Sequence, residues 1–584
     1  MPACTHQDLP PGIDDPVTRA QHAPKPISGG TMLVTSKGLA VAADPDRDLV
    51  WLVDLNSRAV KKVALEADDE PGRVVEDGAG RVHVALRGGG AVATIDLAKA
   101  KVVDRTEVCA APRGLAFDKS ADSIHVACAT GELVTLPAAG GAATRTLHLE
   151  RDLRDVMVQG DNLVVTRFKR AELITLDASG KIINRSAPPV LDPSHSFDKG
   201  GGDEFSGFQA FEPGVAWRTV PLAGHGFVMT HQRGLLSPVV ISQPDGYGSS
   251  GGGCDGSIDH STVTVFDENG TASTLPGPAL SAAVLPVDIA TDGDNVAVVA
   301  AGSDRVLTTT VNNVSQESSG DFVSCSTLHS EMSVPGEPIA VSFFQGQVIV
   351  QTREPAAIYM MANGATPIVL PGESMADTGH HLFHHAASST TGLACASCHP
   401  EGHEDGRVWQ FDIIGARRTQ EVGNDVLQTA PLHWDGDLDN LDAIMSEVFV
   451  HRMGGTPQGE RHVDAMAHWM SSMPRVKVAK PAATEASIEH GKALFESSAV
   501  ACGSCHNGTH LTNNANADVG TGRSFQVPSL VGVGARAPFM HDGCAPTLKD
   551  RFTNKACGGG DQHGQTSQLS EADIDDLVAY LETL

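Results

Sequence analysis

Aromatic side chains are scarce in this 584-residue sequence, at 4% of residues with only 5 Trp and 3 Tyr. Cores built without them need many short aliphatic elements, and 61 Gly and 33 Pro supply the tight turns between those elements. Positive charge is also in short supply. Forty-two Lys and Arg face 71 Asp and Glu, a net charge of −29. Such a surface repels nucleic-acid phosphates and anionic lipid, which argues against nucleic-acid binding and favours a basic protein partner. Long apolar runs are missing too: no stretch approaches the roughly 18 residues a spanning helix requires, so no transmembrane segment is expected. The length exceeds one ordinary core, and two or three domains are expected.

What is present is cysteine, 11 in all. Four fall in two Cys-x-x-Cys-His sequences, Cys395-Ala-Ser-Cys398-His399 and Cys502-Gly-Ser-Cys505-His506, the pattern of covalent c-type haem attachment. Three further pairs, Cys109 with Cys128, Cys254 with Cys325 and Cys544 with Cys557, read as local disulfides, with buried free thiols as the alternative. Disulfides and c-haem both point to a periplasmic or other extracytoplasmic compartment. Cys4, ahead of a Pro-rich polar stretch, is a candidate lipid-bearing residue or an unpaired tail cysteine, and an export signal is expected to be removed or to lie upstream.

The first half repeats. Pro71-Gly72-Arg73-Val74-Val75-Glu76-Asp77 returns 41 residues later as Pro112-Arg113-Gly114-Leu115-Ala116-Phe117-Asp118, and Arg81–Leu86 and Ser123–Cys128 are β-branched, alternating runs between Gly or Asp turns. A period near 40 with about four strands per unit predicts an all-β propeller of about seven blades over residues 30–372, after an N-terminal tail at 1–29. Residues 190–255, rich in Gly, Ser and Pro, read as a long surface-loop insertion. In repeat length and strand pattern this half resembles YVTN- and NHL-type β-propellers, which implies a scaffold or docking surface.

The second half turns helical and holds 15 of the 25 His. A second repeat covers it. Gly379-His380-His381-Leu382-Phe383 and Gly491-Lys492-Ala493-Leu494-Phe495 precede the two attachment motifs, and Ala430-Pro431-Leu432-His433-Trp434-Asp435-Gly436 and Ala537-Pro538-Phe539-Met540-His541-Asp542-Gly543 follow them. Each copy closes on an amphipathic helix, around Val463–Met470 and Ile574–Leu581. Two all-α cytochrome c-like domains are expected, at 373–478 and 487–584, with a linker at 479–486.

In each motif two thioethers tether the porphyrin and the adjoining histidine turns to the iron, so His399 and His506 are the proximal ligands of two covalently bound haem c groups. The second axial position decides between electron relay and reaction with a small molecule. Alignment of the repeats puts His433 and Met540 in one slot, both of ligand type. Met445, His451 and Met453 are further candidates for the first haem, and His541 for the second. His403, four residues past His399, is too close in sequence to reach the opposite face and reads as structural. His380, His381, His384 and His385 have metal-like spacing on one helix, but solvated or propionate-facing histidines are the preferred reading.

On these motifs, with Trp434-Asp435-Gly436 and Thr547-Leu548, residues from about 373 to 584 resemble the bacterial di-haem cytochrome c peroxidase superfamily. The resemblance implies that one haem reacts with peroxide while the other relays electrons, that Trp434 lies between them, and that calcium sits near the domain junction. Three positions depart from the pattern. Lys555 stands where a ligand Met is frequent; Arg452-Met453 replaces the acid–base Glu-Met, with Glu447 nearby but off register; and Thr419 replaces a calcium-binding Asn.

Three functions remain: a peroxidase-like oxidoreductase acting with a protein redox partner, a non-enzymatic electron carrier docked through its propeller, and a recognition module whose cytochromes report redox state. The first is favoured.

Overall fold

A computed structural model describes residues 12–191, 210–224, 226–249, 257–315, 330–361, 366–389, 391–478 and 482–584. Cys4, Cys254, Cys325, residues 192–209 and 250–256 of the expected insertion, and residues 479–481 of the expected linker lie outside them.

Strands form wherever β-branched residues alternate, and they associate into seven consecutive antiparallel sheets. The first runs from Met32–Val34 to Val60–Ala64, the second from Pro71–Glu76 to Lys101–Glu107, and the third from Pro112–Asp118 to Arg145–His148. The fourth spans Leu153–Gln159 to Ile182–Ser186, the sixth Asp288–Asp292 to Ser330–Ser333, and the seventh Pro338–Phe344 to Ile368–Val369. Recurrent aspartates make the turns: Asp77 Oδ1 accepts from the Ala79 and Arg81 amides at 2.9 Å, and Asp267 Oδ1 accepts from Asn269 and Thr271 at 2.8 Å. The ring closes between its first and last sheets, where the Gly30 amide donates to the Ile339 carbonyl at 2.8 Å. Ala42 and Trp51 pack there with Ile349 and Ile358 in one buried cluster. Truncating Trp51 to Ala would cost about 3–5 kcal/mol.

The fifth sheet corrects the expected insertion. Phe211–Leu222 and Gly226–Leu235 are long paired strands joined to Asp259–Phe266, so two of the three strands of this blade lie inside the segment read as surface loop. Val215-Ala216-Trp217 and Phe227-Val228-Met229 carry ordinary strand chemistry; the surrounding Gly, Ser and Pro hid it.

After residue 372 two helical units follow. In the first, Thr378–His384 crosses Glu460–Met470; in the second, Glu485–Glu496 crosses Glu571–Leu581. Both crossings need the repeated glycine, because a Cβ at Gly379 would collide with the Ala465 carbonyl and one at Gly491 with that of Asp576. Residues 12–29 cross the first unit: Trp469 Nε1 donates to the Pro24 carbonyl at 2.9 Å, and the Ala20 amide to Asp377 at 3.2 Å. Among the described residues, no helix is long and apolar enough to cross a membrane. Disulfides join Cys109 to Cys128 and Cys544 to Cys557.

Candidate functional site

Both attachment motifs orient their histidine the same way. His399 Nδ1 donates to the His403 carbonyl at 2.9 Å and His506 Nδ1 to the Leu511 carbonyl at 3.2 Å. Each bond leaves Nε2 as the free ligand nitrogen. Burial, the largest effect on both, keeps these rings neutral, taking His506 down to about 4. His403 is structural as expected: its carbonyl orients His399 and its Nδ1 meets Glu421 at 2.9 Å.

The cysteines fit a neutral thioether. Burial pushes the Cys395 thiol up to about 12, Cys398 well above its ordinary value and Cys502 upward as well, so these three are not poised as metal-binding thiolates. Nor, among the described residues, do they converge with other ligands into a metal cluster.

The second motif opens onto a cavity of about 420 Å³ lined by Trp434, Cys502, Cys505, His506, Met540 and His563, among others. Sequence reasoning missed His563. Its ring centre lies 6.0 Å from that of His506 with the planes 33° apart, and two imidazoles each about 2 Å from one metal ion place their ring centres about 6 Å apart. Burial, reinforced by Arg551 and His506, holds His563 well below its usual value and therefore neutral. Arg551 Nε donates to His563 Nδ1 at 3.1 Å, while Nη2 holds the His563 carbonyl at 2.5 Å. A ring that accepts at Nδ1 keeps its own proton on Nε2. Ligation through Nε2 therefore requires that proton to leave, or the Arg551 Nε contact to open.

Met540 lines the same cavity in left-handed backbone at φ 74°, matched in the first unit by His433 at φ 66°. The repeat thus yields equivalent turns, with Gly543 and Gly436 amides donating back to residues 540 and 433 at 3.2 Å. The ring set against His506, however, belongs to His563. His433 pairs with Asp437 at 3.5 Å on a partly exposed face. His541 stacks on Phe525, centres 4.0 Å apart.

Around the first motif, Cys398 shares an apolar cluster with Met453, Val448, Trp409 and Tyr247. Tyr247 comes from the segment expected to be a surface loop. It is partly buried, desolvation raises its phenol pKa, and it hydrogen-bonds Arg452. Met445–Arg452 is a π-helix, whose five-residue spacing brings Glu447, off register by α-helical counting, to 3.0 Å from Arg452. Met453 continues that spacing, its amide donating to the Val448 carbonyl at 2.9 Å.

Trp434 bridges the two units. Its Nε1 donates to the Arg418 carbonyl at 2.7 Å and its own carbonyl accepts from the Gln526 amide at 2.8 Å. Arg418 in turn grips Glu404 at 2.7 Å, beside the Asp405 amide that donates to the Cys398 carbonyl at 3.1 Å.

The propeller clamps the first motif. Glu401, two residues past His399 and 5% exposed, takes Arg87 at 3.2 Å, Arg113 at 2.7 Å and Arg154 in a shorter contact, from three successive blades. Burial opposes the charge on Glu401, but Arg113, Arg154 and Arg87 outweigh it and hold the carboxyl well below its usual range. From the fifth blade, Gln232 Nε2 donates to the Ser397 carbonyl at 3.0 Å.

One expectation needs correction. His380 and His384 are fully buried rather than solvated: Arg353 donates to His380 Nδ1 at 3.1 Å, His384 Nδ1 donates to the His380 carbonyl at 2.9 Å, and its Nε2 accepts the Ile27 amide at 3.2 Å. The packing of propeller, segment 12–29 and Trp469 on that helix explains their burial. At the position implied for calcium, the Thr419 hydroxyl accepts from Trp409 Nε1 at 3.1 Å and hydrogen-bonds Asp405.

Comparison with known proteins agrees with the helical half. Residues 488–584 match the Cytochrome c family, so haem c is bound covalently and the chain is a redox-active c-type cytochrome. Methylamine utilization protein MauG of Methylorubrum extorquens is 27% identical over 300 residues, covering 40% of this chain and 82% of MauG. Hydrazine synthase subunit gamma of Kuenenia stuttgartiensis is 25% identical over 271 residues, covering 35% of this chain and 76% of that subunit. A solved chain of Kuenenia stuttgartiensis hydrazine synthase superposes with a TM-score of 0.46 at 13% identity, covering 60% of this chain and 99% of the other. The cytochrome half of the chain is thus similar to MauG and to the hydrazine synthase gamma subunit, and a seven-bladed β-propeller is fused ahead of it.

Proposed function

We propose that the chain is an extracytoplasmic two-haem oxidoreductase of peroxidase-like type, which exchanges electrons with a basic protein partner through its second haem and reacts at its first. The observation that carries this reading is the asymmetry of the two sites. The His563 ring centre stands 6.0 Å from that of His506, where both could hold one iron, whereas a Tyr247–Arg452–Glu447 group stands beside Cys398.

Haem iron at these sites supplies one-electron chemistry. The residues of the chain do the rest. Cys395 and Cys398, and Cys502 and Cys505, tether the two groups, with His399 and His506 as proximal ligands. His563, rather than Met540, would complete the second site once its Arg551 Nε contact opens, and would make it a relay. Arg452 is always charged and cannot act as a base; Glu447, brought beside it by the π-helix, is the group able to hold a proton there, and Tyr247 orients Arg452. Met453 shields the pocket as buried packing, and His433 stays at the surface with Asp437. Trp434 carries contact between the two attachment loops. The net charge of −29 supports a basic partner, and the two disulfides support an oxidising compartment. Both named relatives, one for methylamine utilization and one a hydrazine synthase subunit, support redox enzymology over simple carriage.

The test is spectroscopic. After one-electron reduction, one haem should stay low-spin while the other changes its spectrum within the mixing time of added peroxide. Two low-spin haems indifferent to peroxide would establish the electron-carrier reading instead.

A further inference from the structure

The helix Thr378–His384 carries more than its buried face. His381, on its outer side, and His385, which caps it, both turn toward the seventh blade. There Glu337 Oε1 lies 3.8 Å from His381 Nδ1 and 3.6 Å from His385 Nδ1, and all three ligand atoms fall within 4.8 Å of one another. Four ligands about 2.0–2.1 Å from a tetrahedral ion sit about 3.3 Å apart, so the two Glu337 edges are within about half an ångström of ligating geometry, and the His381 and His385 rings, whose centres lie 3.8 Å apart, part by about 1 Å to share an ion.

The surroundings select a metal over a simple hydrogen-bonded cluster. His385 Nδ1 is buried without a hydrogen-bond partner. Its other nitrogen, Nε2, faces Asp304 Oδ2 at 3.4 Å, the carboxylate–histidine arrangement that fixes the tautomer of a metal-bound imidazole. Asp304 is itself held, with Oδ1 accepting the Glu337 amide at 3.0 Å, so one carboxylate positions both ligand residues. Glu337 is held from its other oxygen, Oε2, by Arg353 Nε at 2.5 Å, and Arg353 is balanced by Asp46 at 2.9 Å. Glu337 and Asp46 balance that one guanidinium and Asp304 adds a third carboxylate beside His385, so a dication meets a net negative site. His380 Nδ1, 3.7 Å from Glu337 Oε1, already accepts from Arg353.

We propose that Glu337, His381 and His385 bind a divalent transition-metal ion of the zinc type, pinning the propeller to the first cytochrome unit. Two imidazoles and one carboxylate suit such an ion and not calcium or magnesium. The His381 side chain is 58% exposed, which leaves water as the fourth ligand and solvent as the entry path. The pin joins Asp304 of the sixth blade and Glu337 of the seventh to the helix that packs beside the first attachment motif.

The experiment uses the haem-loaded full chain, stripped with chelator and re-equilibrated with micromolar zinc chloride, with zinc and iron counted per chain after gel filtration. The expected result is one zinc per wild-type chain, none in His381→Ala or His385→Ala, and 10- to 100-fold weaker binding in Asp304→Asn. His381 is exposed, so its alanine variant keeps the fold, which an unchanged haem spectrum verifies. No saturable zinc in the wild type, or equal zinc in the wild type and in His381→Ala, overturns the proposal.

Discussion

Glu401→Gln isolates the contact between propeller and first haem motif. The wild-type carboxylate, 5% exposed, neutralises Arg87, Arg113 and Arg154 at once. A glutamine keeps the volume and removes the charge, leaving three buried guanidiniums with one amide oxygen among them. Removing one partner of a buried ion pair costs about 3–5 kcal/mol, and three arginines share this one. In equilibrium terms that is a factor of about 150 to 5,000 against the docked state. The assay is urea unfolding followed twice, by haem absorption and by tryptophan fluorescence. The haem transition should move to lower urea in the variant. The pH dependence gives a second reading. Glu401 is held well below the ordinary carboxylate range, so its stabilisation is complete above about pH 4.5 and is lost as pH falls toward the depressed folded value. The variant should lack that acid limb. An unchanged urea midpoint with an unchanged acid limb would refute the clamp.

Other predictions address the remaining contacts. In the fifth blade, burial takes His260 down to about 3. The unfolded chain therefore gains a proton near pH 6.5 that the fold refuses, and stability rises with pH from about 3 to 6.5. His260→Leu should flatten urea midpoints measured from pH 4 to 7; Asp259, pushed up to about 7 by burial, works the opposite way, and Asp259→Asn should steepen them. Trp434→Phe loses the 2.7 Å bond to the Arg418 carbonyl and should slow inter-haem electron transfer at least tenfold in flash photolysis, with both haem spectra unchanged; an equal rate would remove Trp434 from the route. Opening the 13-residue span between Cys544 and Cys557 with a double serine variant should cost about 3 kcal/mol and broaden the second haem's spectrum, since His563 lies just beyond it.

The ring of blades and both attachment sites were legible because each rests on a local rule: alternating β-branched runs between aspartate turns, and two cysteines with a histidine at fixed spacing. The closing helices were legible as well from their apolar spacing, whereas the crossings that Gly379 and Gly491 permit came only with the structure. His563 was not. It sits in Gly558-Gly559-Gly560-Asp561-Gln562-His563-Gly564, a stretch with no counterpart in the first unit, and left-handed backbone at Gly558, Gly560 and Gly564 brings it to the cavity. Glu401 escaped notice because its arginines lie 247 to 314 residues away, and nothing local marks a charge that is satisfied only by the assembled ring. Tyr247 and the two strands of the fifth blade were hidden by glycine and proline around them. Glu447 needed the π-helix, which no apolar period announces.

The most direct measurement is low-temperature paramagnetic resonance on mature protein whose pyridine haemochrome has been counted. The account predicts two c-type haems per chain and a low-spin signal of a bis-histidine centre that His563→Ala abolishes while Met540→Ala leaves it in place. A single haem per chain, or a signal lost with Met540 and kept without His563, would contradict it.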